Sequence, residues 1–159
     1  MTYGEWKDAK QKAFNELPIF FAFNDYQFKE AMEERGMTVN DTDKIFKLGT
    51  GGYYLRTDAQ KIRDFINSQN ELHGLMKERD FAVSAFLYEM QNHEYAINRY
   101  QGDFDVCDCF LESEPEFGEK KSYRDYLKEA GHEDWIEPYQ EARQKYFELE
   151  RERETEADI

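Results

Sequence analysis

The sequence predicts a mostly helical α+β fold: a small sheet of about three strands (19–23, 44–48 and 53–57) packed on a long helix (58–98), with two C-terminal helices. Three observations predict it. Apolar residues recur at helical spacing through most of the 159-residue chain, three short β-prone runs interrupt that spacing, and Gly or Pro falls at the interruptions. Hydrophobic residues at 40% and aromatics at 16% supply a core that a disordered acidic chain lacks, despite 35% charged residues. That length suits one domain over 1–150, followed by a solvated tail at 151–159.

Thr2 and Glu5 form a capping box, and Trp6, Ala9, Ala13 and Leu17 repeat at helical spacing, which predicts a helix over 3–16. Pro18 ends it, and the unbroken apolar run 19–23 is too short for a helix, so it reads as a strand covered on both faces. Asn24 with Gln27 caps a helix over 25–35 that Gly36 terminates. Residues 44–48 and 53–57 are strands of a hairpin joined by Gly49, Thr50, Gly51 and Gly52. Thr57 and Gln60 then open the longest pattern, to about Asn98 with a possible break at Gly74. Ile62, Met76, Val83, Met90 and Ile97 form one row of it, and Phe65, Leu72 and Phe86 a companion row that continues through Arg79 and His93. A short helix around 105–111 follows. Ser122 caps a helix ended by Gly131, and Asp134 caps the last one, where Pro138 is tolerated in the first turn.

Charge is concentrated toward the C-terminus. The chain carries a net −14, and residues 103–119 hold seven acids, Asp103, Asp105, Asp108, Glu112, Glu114, Glu116 and Glu119, with no Lys or Arg among them. Such a surface repels nucleic acid and anionic membrane and attracts basic grooves. No apolar run approaches the ~18 residues of a membrane span, and the N-terminus lacks the apolar stretch of a signal peptide. A cytoplasmic protein with no direct contact to nucleic acid or membrane is expected. Cys107 and Cys109 are too close in sequence for a relaxed disulfide, which predicts reduced thiols.

The Gly49–Gly52 loop lacks the following Lys-Ser/Thr and helix of a phosphate cradle, so a hairpin turn is expected. Asp103, Asp105 and Glu114 fall at positions 1, 3 and 12 of a calcium loop, but Asp108 stands where that loop needs Gly. His93, Cys107, Cys109 and His132, with His73 in reserve, are the candidate zinc ligands, but C-x-C matches no zinc spacing, and a buried pair of small apolar thiols is the expected role of Cys107 and Cys109. No metal or cofactor is expected. Glu89 and His93 stand four apart, with Glu94 beside them, an arrangement that orients an imidazole or binds a metal; the alternative is a hydrogen-bonded core histidine.

At the strings Leu17 to Phe23, Thr42 to Ile45, Gly49 to Gly52 and Asn92 to Tyr95, the chain resembles uncharacterised small proteins of phages and mobile elements of Gram-positive bacteria. The likeness covers residues 3 to 100. It implies a setting in which accessory proteins blunt host defences, and no catalytic residues come with it. The leading expectation is a non-enzymatic, anti-CRISPR-like inhibitor. Its seven acids at 103–119 would mimic nucleic acid before a basic nucleic-acid-binding protein such as a CRISPR effector nuclease. The alternatives are a small metal-dependent enzyme or module around Glu89, His93, Glu94, Cys107 and Cys109, and a helical oligomerising adaptor.

Overall fold

The structure, a computed structural model, describes residues 1–112 and 122–157. It is the expected mostly helical α+β architecture with a three-stranded antiparallel sheet. The chain divides into two compact units, one formed by Ala9–Asn70 and the other by Met1–Asp8 with the chain from Glu71 onward. Helix α1 (Tyr3–Asn15) passes from one to the other. No described helix is long and apolar enough to cross a membrane.

Both arms of the predicted N-terminal capping box are made: Thr2 N–H donates to Glu5 Oε2 at 3.0 Å and Glu5 N–H to Thr2 Oγ1 at 3.2 Å. In the Ala9–Asn70 unit, β1 (Phe20–Phe21) pairs antiparallel with β3 (Gly52–Leu55), and β3 pairs with β2 (Ile45–Leu48), giving the order β1-β3-β2. The hairpin is the one predicted, except that Gly52 belongs to β3 and pairs with Leu48, leaving a three-residue turn. That turn needs a left-handed backbone, with φ of 63° at Thr50 and 79° at Gly51, and glycine meets it without a Cβ penalty. Helix α2 (Asp25–Glu34) is capped as expected, Gln27 N–H donating to Asn24 Oδ1 at 2.8 Å. It packs Phe28, Ala31 and Met32 against Phe20 and Ile45 of the sheet.

The single helix predicted over 58–98 is three helices: α3 (Ala59–Ser68), α4 (Glu71–Leu75) and α5 (Arg79–Asn92). Ser68 turns its hydroxyl onto Phe65 O at 2.6 Å, and the polar run to Asn70 has no apolar face to continue the helix. Glu78, with extended backbone (φ −82°, ψ 123°), breaks it again. Asp58 and not Thr57 stands at the start of α3, without a side-chain cap bond. Met76, Val83, Phe86 and Met90 of the predicted rows are buried, but Ile97 is 80% exposed because the chain has left the helix before reaching it.

In the second unit α5 is apolar nearly all round, as a helix inside a core must be. It lies against α8 (Ile136–Ala157), with Tyr3 and Trp6 of α1 in the same core. The helix expected near 105–111 is α6 (Arg99–Asp108), capped by Asn98, whose Oδ1 accepts from Gln101 N–H at 3.1 Å. Ser122 caps α7 (Tyr123–Glu129) as expected. Helix α8 runs on through 151–157, where a tail was expected; these residues are exposed but helical, with Arg153 paired to Glu150 at 3.1 Å.

Phe86 is fully buried at the middle of this core, edge-on to Phe110 at 5.2 Å, Trp135 at 6.0 Å and Tyr139 at 5.0 Å. Phe86→Ala is expected to lower the unfolding free energy by about 3–5 kcal/mol in urea titrations. A midpoint matching the parent's would mean that this face is not the core.

Candidate metal centre

Glu89 and His93 occupy the last turn of α5 and its C-cap, four residues apart and therefore on one face. At Glu94 the backbone turns left-handed (φ 49°), and Tyr95 N–H returns to Met90 O at 3.4 Å, closing the helix. Asn98 then starts α6, which delivers Cys109 at its own C-cap. Three donors from two helix ends meet: His93 Nε2 lies 3.2 Å from Glu89 Oε2 and 3.4 Å from Cys109 Sγ, and Cys109 Sγ lies 3.9 Å from Glu89 Oε2. All three fall within 4.8 Å of one another.

The buried Glu89 carboxylate, 4% exposed, is held from behind. Tyr3 Oη donates to Glu89 Oε1 at 2.8 Å, and Lys7 Nζ lies 3.5 Å from the same oxygen and above the ring of Tyr88. Oε2 is left facing His93 and Cys109. Tyr3 and Lys7 stand 86 and 82 residues from Glu89, so no local spacing in the sequence signals them. The C-terminal ends of α5 and α6 both carry negative partial charge here, which favours a cation.

This geometry is not that of a cysteine nucleophile. In a Cys-His-acid relay the thiol and the acid use opposite ring nitrogens. Here Cys109 and Glu89 both address Nε2. The thiol is also tucked against Asp105 O at 3.3 Å, and burial, with the Glu89 carboxylate, pushes it up to about 11. It is protonated at neutral pH and a poor nucleophile in this state. Convergence of three unlike donors on one point is instead what ligands around an ion do.

The other candidate ligands are not brought to this point. Cys107 is buried in the core, where burial raises its thiol well above the usual range. His132 stacks on Trp135 at 3.7 Å, and His73 lies 3.5 Å from Glu112. Nor is His93 the core histidine of the apolar-row reading, since its side chain is 38% exposed.

The acids predicted as a partner surface separate. Asp103 is 6% exposed and points inward: Tyr95 Oη and Tyr139 Oη donate to its Oδ1 at 2.5 and 2.7 Å, and Arg143 Nε lies 3.5 Å away and donates to Tyr95 Oη at 2.8 Å. Tyr95 can approach because Gly102 has no side chain; a Cβ there would sit 2.7 Å from its ring. Asp103 therefore cannot join a docking surface, and with Asp105 it sits on a helix and not in a calcium loop. Asp108 accepts from Tyr126 Oη, and Asp105 from Gln101 Nε2 at 2.9 Å. Glu112 is exposed, while Glu114, Glu116 and Glu119 lie outside the described residues.

An α+β protein with a Glu-His-Cys cluster at two helix ends is the class that fold and site define. Residues 2–107 match a family of unknown function (DUF7659), and the chain belongs to that family. The match includes Glu89 and His93 and stops two residues before Cys109. No curated protein and no solved structure matches the chain.

The Asp103 network gives a pH-dependent prediction. Burial, followed by nearby Cys107 and Asp103, holds the Tyr139 phenol well above its ordinary 10.0, and burial with the Asp103 bond raises Tyr95 likewise. A raised phenol stabilises the fold fully below pH 10 and loses that contribution as the pH rises above it, since the unfolded chain releases its proton first. Tyr139→Phe should cost about 1.5–3 kcal/mol at neutral pH, the loss of a bond to a charged group, and should flatten the alkaline fall in stability. Urea titrations of parent and variant at neutral and alkaline pH measure both effects.

Proposed function

We propose that the protein is a zinc-binding module in which Glu89, His93 and Cys109 hold one ion and leave a fourth position exchangeable. The observation that supports it is the spacing of the donors. Zinc at about 2.3 Å from sulfur and 2.0–2.1 Å from nitrogen or oxygen separates tetrahedral ligands by roughly 3.3–3.6 Å. The three separations here are 3.2, 3.4 and 3.9 Å. Tyr3 and Lys7 would be its outer shell, orienting the carboxylate and offsetting its charge. Three protein ligands with a position left over is the pattern of zinc that acts on a bound water or substrate, which favours a metal-dependent enzyme or sensor over a purely structural clip.

Protein expressed with added zinc, desalted and measured by elemental analysis is expected to hold one equivalent. Cobalt substitution should show a thiolate-to-metal absorption band that Cys109→Ser abolishes and Cys107→Ser retains. Tyr3→Phe should weaken zinc binding about 10–100-fold, as outer-shell losses do. Substoichiometric metal in the parent, or full binding by Cys109→Ser, overturns the reading.

A second reading, the phage-encoded or mobile-element inhibitor of a host defence nuclease, draws support from where the charge sits. The Ala9–Asn70 unit holds nine bases and nine acids, which leaves 12 bases and 26 acids, the whole net −14, to the other unit. With Asp103 turned inward, its contact residues reduce to Asp105, Asp108, Glu112, Glu114, Glu116 and Glu119. Changing Asp105, Glu112, Glu114, Glu116 and Glu119 to Asn or Gln, with Asp108 kept because it bonds the buried Tyr126, should leave stability nearly unchanged while abolishing binding to a basic nuclease channel, such as that of a CRISPR effector. Calorimetry at two ionic strengths tests this; equal affinity of parent and variant excludes the reading.

A further inference from the structure

The Ala9–Asn70 unit contains a cavity of about 550 Å³ between the start of α2 and the β2–β3 turn, a size that falls among small-molecule sites, ~300–1,000 Å³. It is remote in the sequence from the candidate metal centre. Its walls include Phe23, Phe28, Tyr53 and Lys47.

Two features of this wall are unusual for plain surface. First, the register pairs Ile45 with Leu55 and Lys47 with Tyr53, and Tyr53 with Phe20. Residues directly opposite share a face, so Lys47 extends the face that buries Phe20 and Ile45, ending an apolar surface in an ammonium group. Among the described residues no acid or carbonyl is bonded to it. Second, Phe23 is 73% exposed yet held in place: its N–H donates to Gln27 Oε1 at 2.9 Å, and its ring lies where a Cβ on Gly51 would be 2.8 Å away. An exposed ring fixed over a left-handed turn offers a platform at little cost in side-chain entropy.

We propose that this cavity binds a small planar aromatic anion, its ring against Phe23, Phe28 and Tyr53 and its charge on Lys47. At the same wall the Gln27 N–H of the first turn of α2 is taken by Asn24 and the Asp25 carboxylate offsets the helix dipole, so the preference for an anion rests on Lys47. Asp25 also offers an acceptor to a hydroxyl or amino group on the ligand, which selects for a ring that carries a donor.

The test sets ring and charge against each other. Titration of the labelled full chain, followed by amide chemical shifts, compares indole-3-acetate, adenosine monophosphate, tryptamine and cyclohexylacetate. Binding of indole-3-acetate or of the nucleotide, with shifts at Phe23, Lys47 and Tyr53, is expected, and whichever binds tighter tells a carboxylate from a phosphate ester. Tryptamine has the same ring with the opposite charge, and cyclohexylacetate has the charge without the π face; both should bind at least about tenfold more weakly, the worth of a charge-assisted bond or a stacked ring. Lys47→Met should weaken the aromatic anion by the same factor with its urea midpoint unchanged, and Phe23→Ala provides a second check on the platform. Tryptamine binding as tightly as the anions, no shift with either aromatic anion, or undiminished binding by Lys47→Met overturns the proposal.

Discussion

A carboxylate can be buried only where its charge is answered, and the unit built around α5 buries two of them, Glu89 and Asp103. The answer to Asp103 sets much of the local geometry. Tyr95, from the turn after α5, and Tyr139 with Arg143, from α8, all converge on it or on one another, so a single oxygen ties the α5–α6 connection to the last helix. That tie requires a left-handed residue at Glu94 and an absent side chain at Gly102. With α6 so anchored at Asp103, its C-terminal turn carries Cys109, six residues on, to the end of α5 where Glu89 and His93 wait. The inward acid thus positions the candidate metal centre without touching it.

Much of this architecture was legible because its signals are local. The capping box at Thr2, the helix caps at Asn24 and Ser122 and the glycine-rich hairpin appear as bonded pairs at the expected residues. The heptad pattern was also real, yet it overstated continuity: an apolar row reports which side chains are buried, not whether the backbone between them is unbroken. Gly74 marks the break after α4, which ends at Leu75, whereas the interruptions at 68–70 and at Glu94 have no Gly or Pro to announce them. Asn98 with Gln101 carries the same capping signature as Asn24 with Gln27, and taking it for the end of a long helix hid the start of α6.

Sign and composition were less informative about individual acids. Seven acids within 17 residues look like one surface, but α6 distributes the three it carries, Asp103, Asp105 and Asp108, around its axis. Asp103 faces the core, and Asp105, two positions on, faces outward enough to bond Gln101. What a charge run cannot reveal is the presence of partners, and two of the three that answer Asp103 lie some 40 residues further along the chain.

The same helical arithmetic explains why the cysteines look unlike a metal clip. Residues two apart on a helix point to nearly opposite sides. At the end of α6 this leaves Cys107 in the core and Cys109 outside, so C-x-C can give an ion only one sulfur. The remaining donors come from an i,i+4 pair on another helix, Glu89 and His93, the spacing that does align two side chains. A motif search confined to the thiols asks for a second close cysteine. The fold supplies a carboxylate in its place, a harder donor whose orientation depends on Tyr3 and Lys7 from the far end of the chain. On the proposed zinc reading, affinity at this centre would be coupled to the docking of α1, and a change that loosens the first turn of that helix would act on the site through Tyr3 and Lys7.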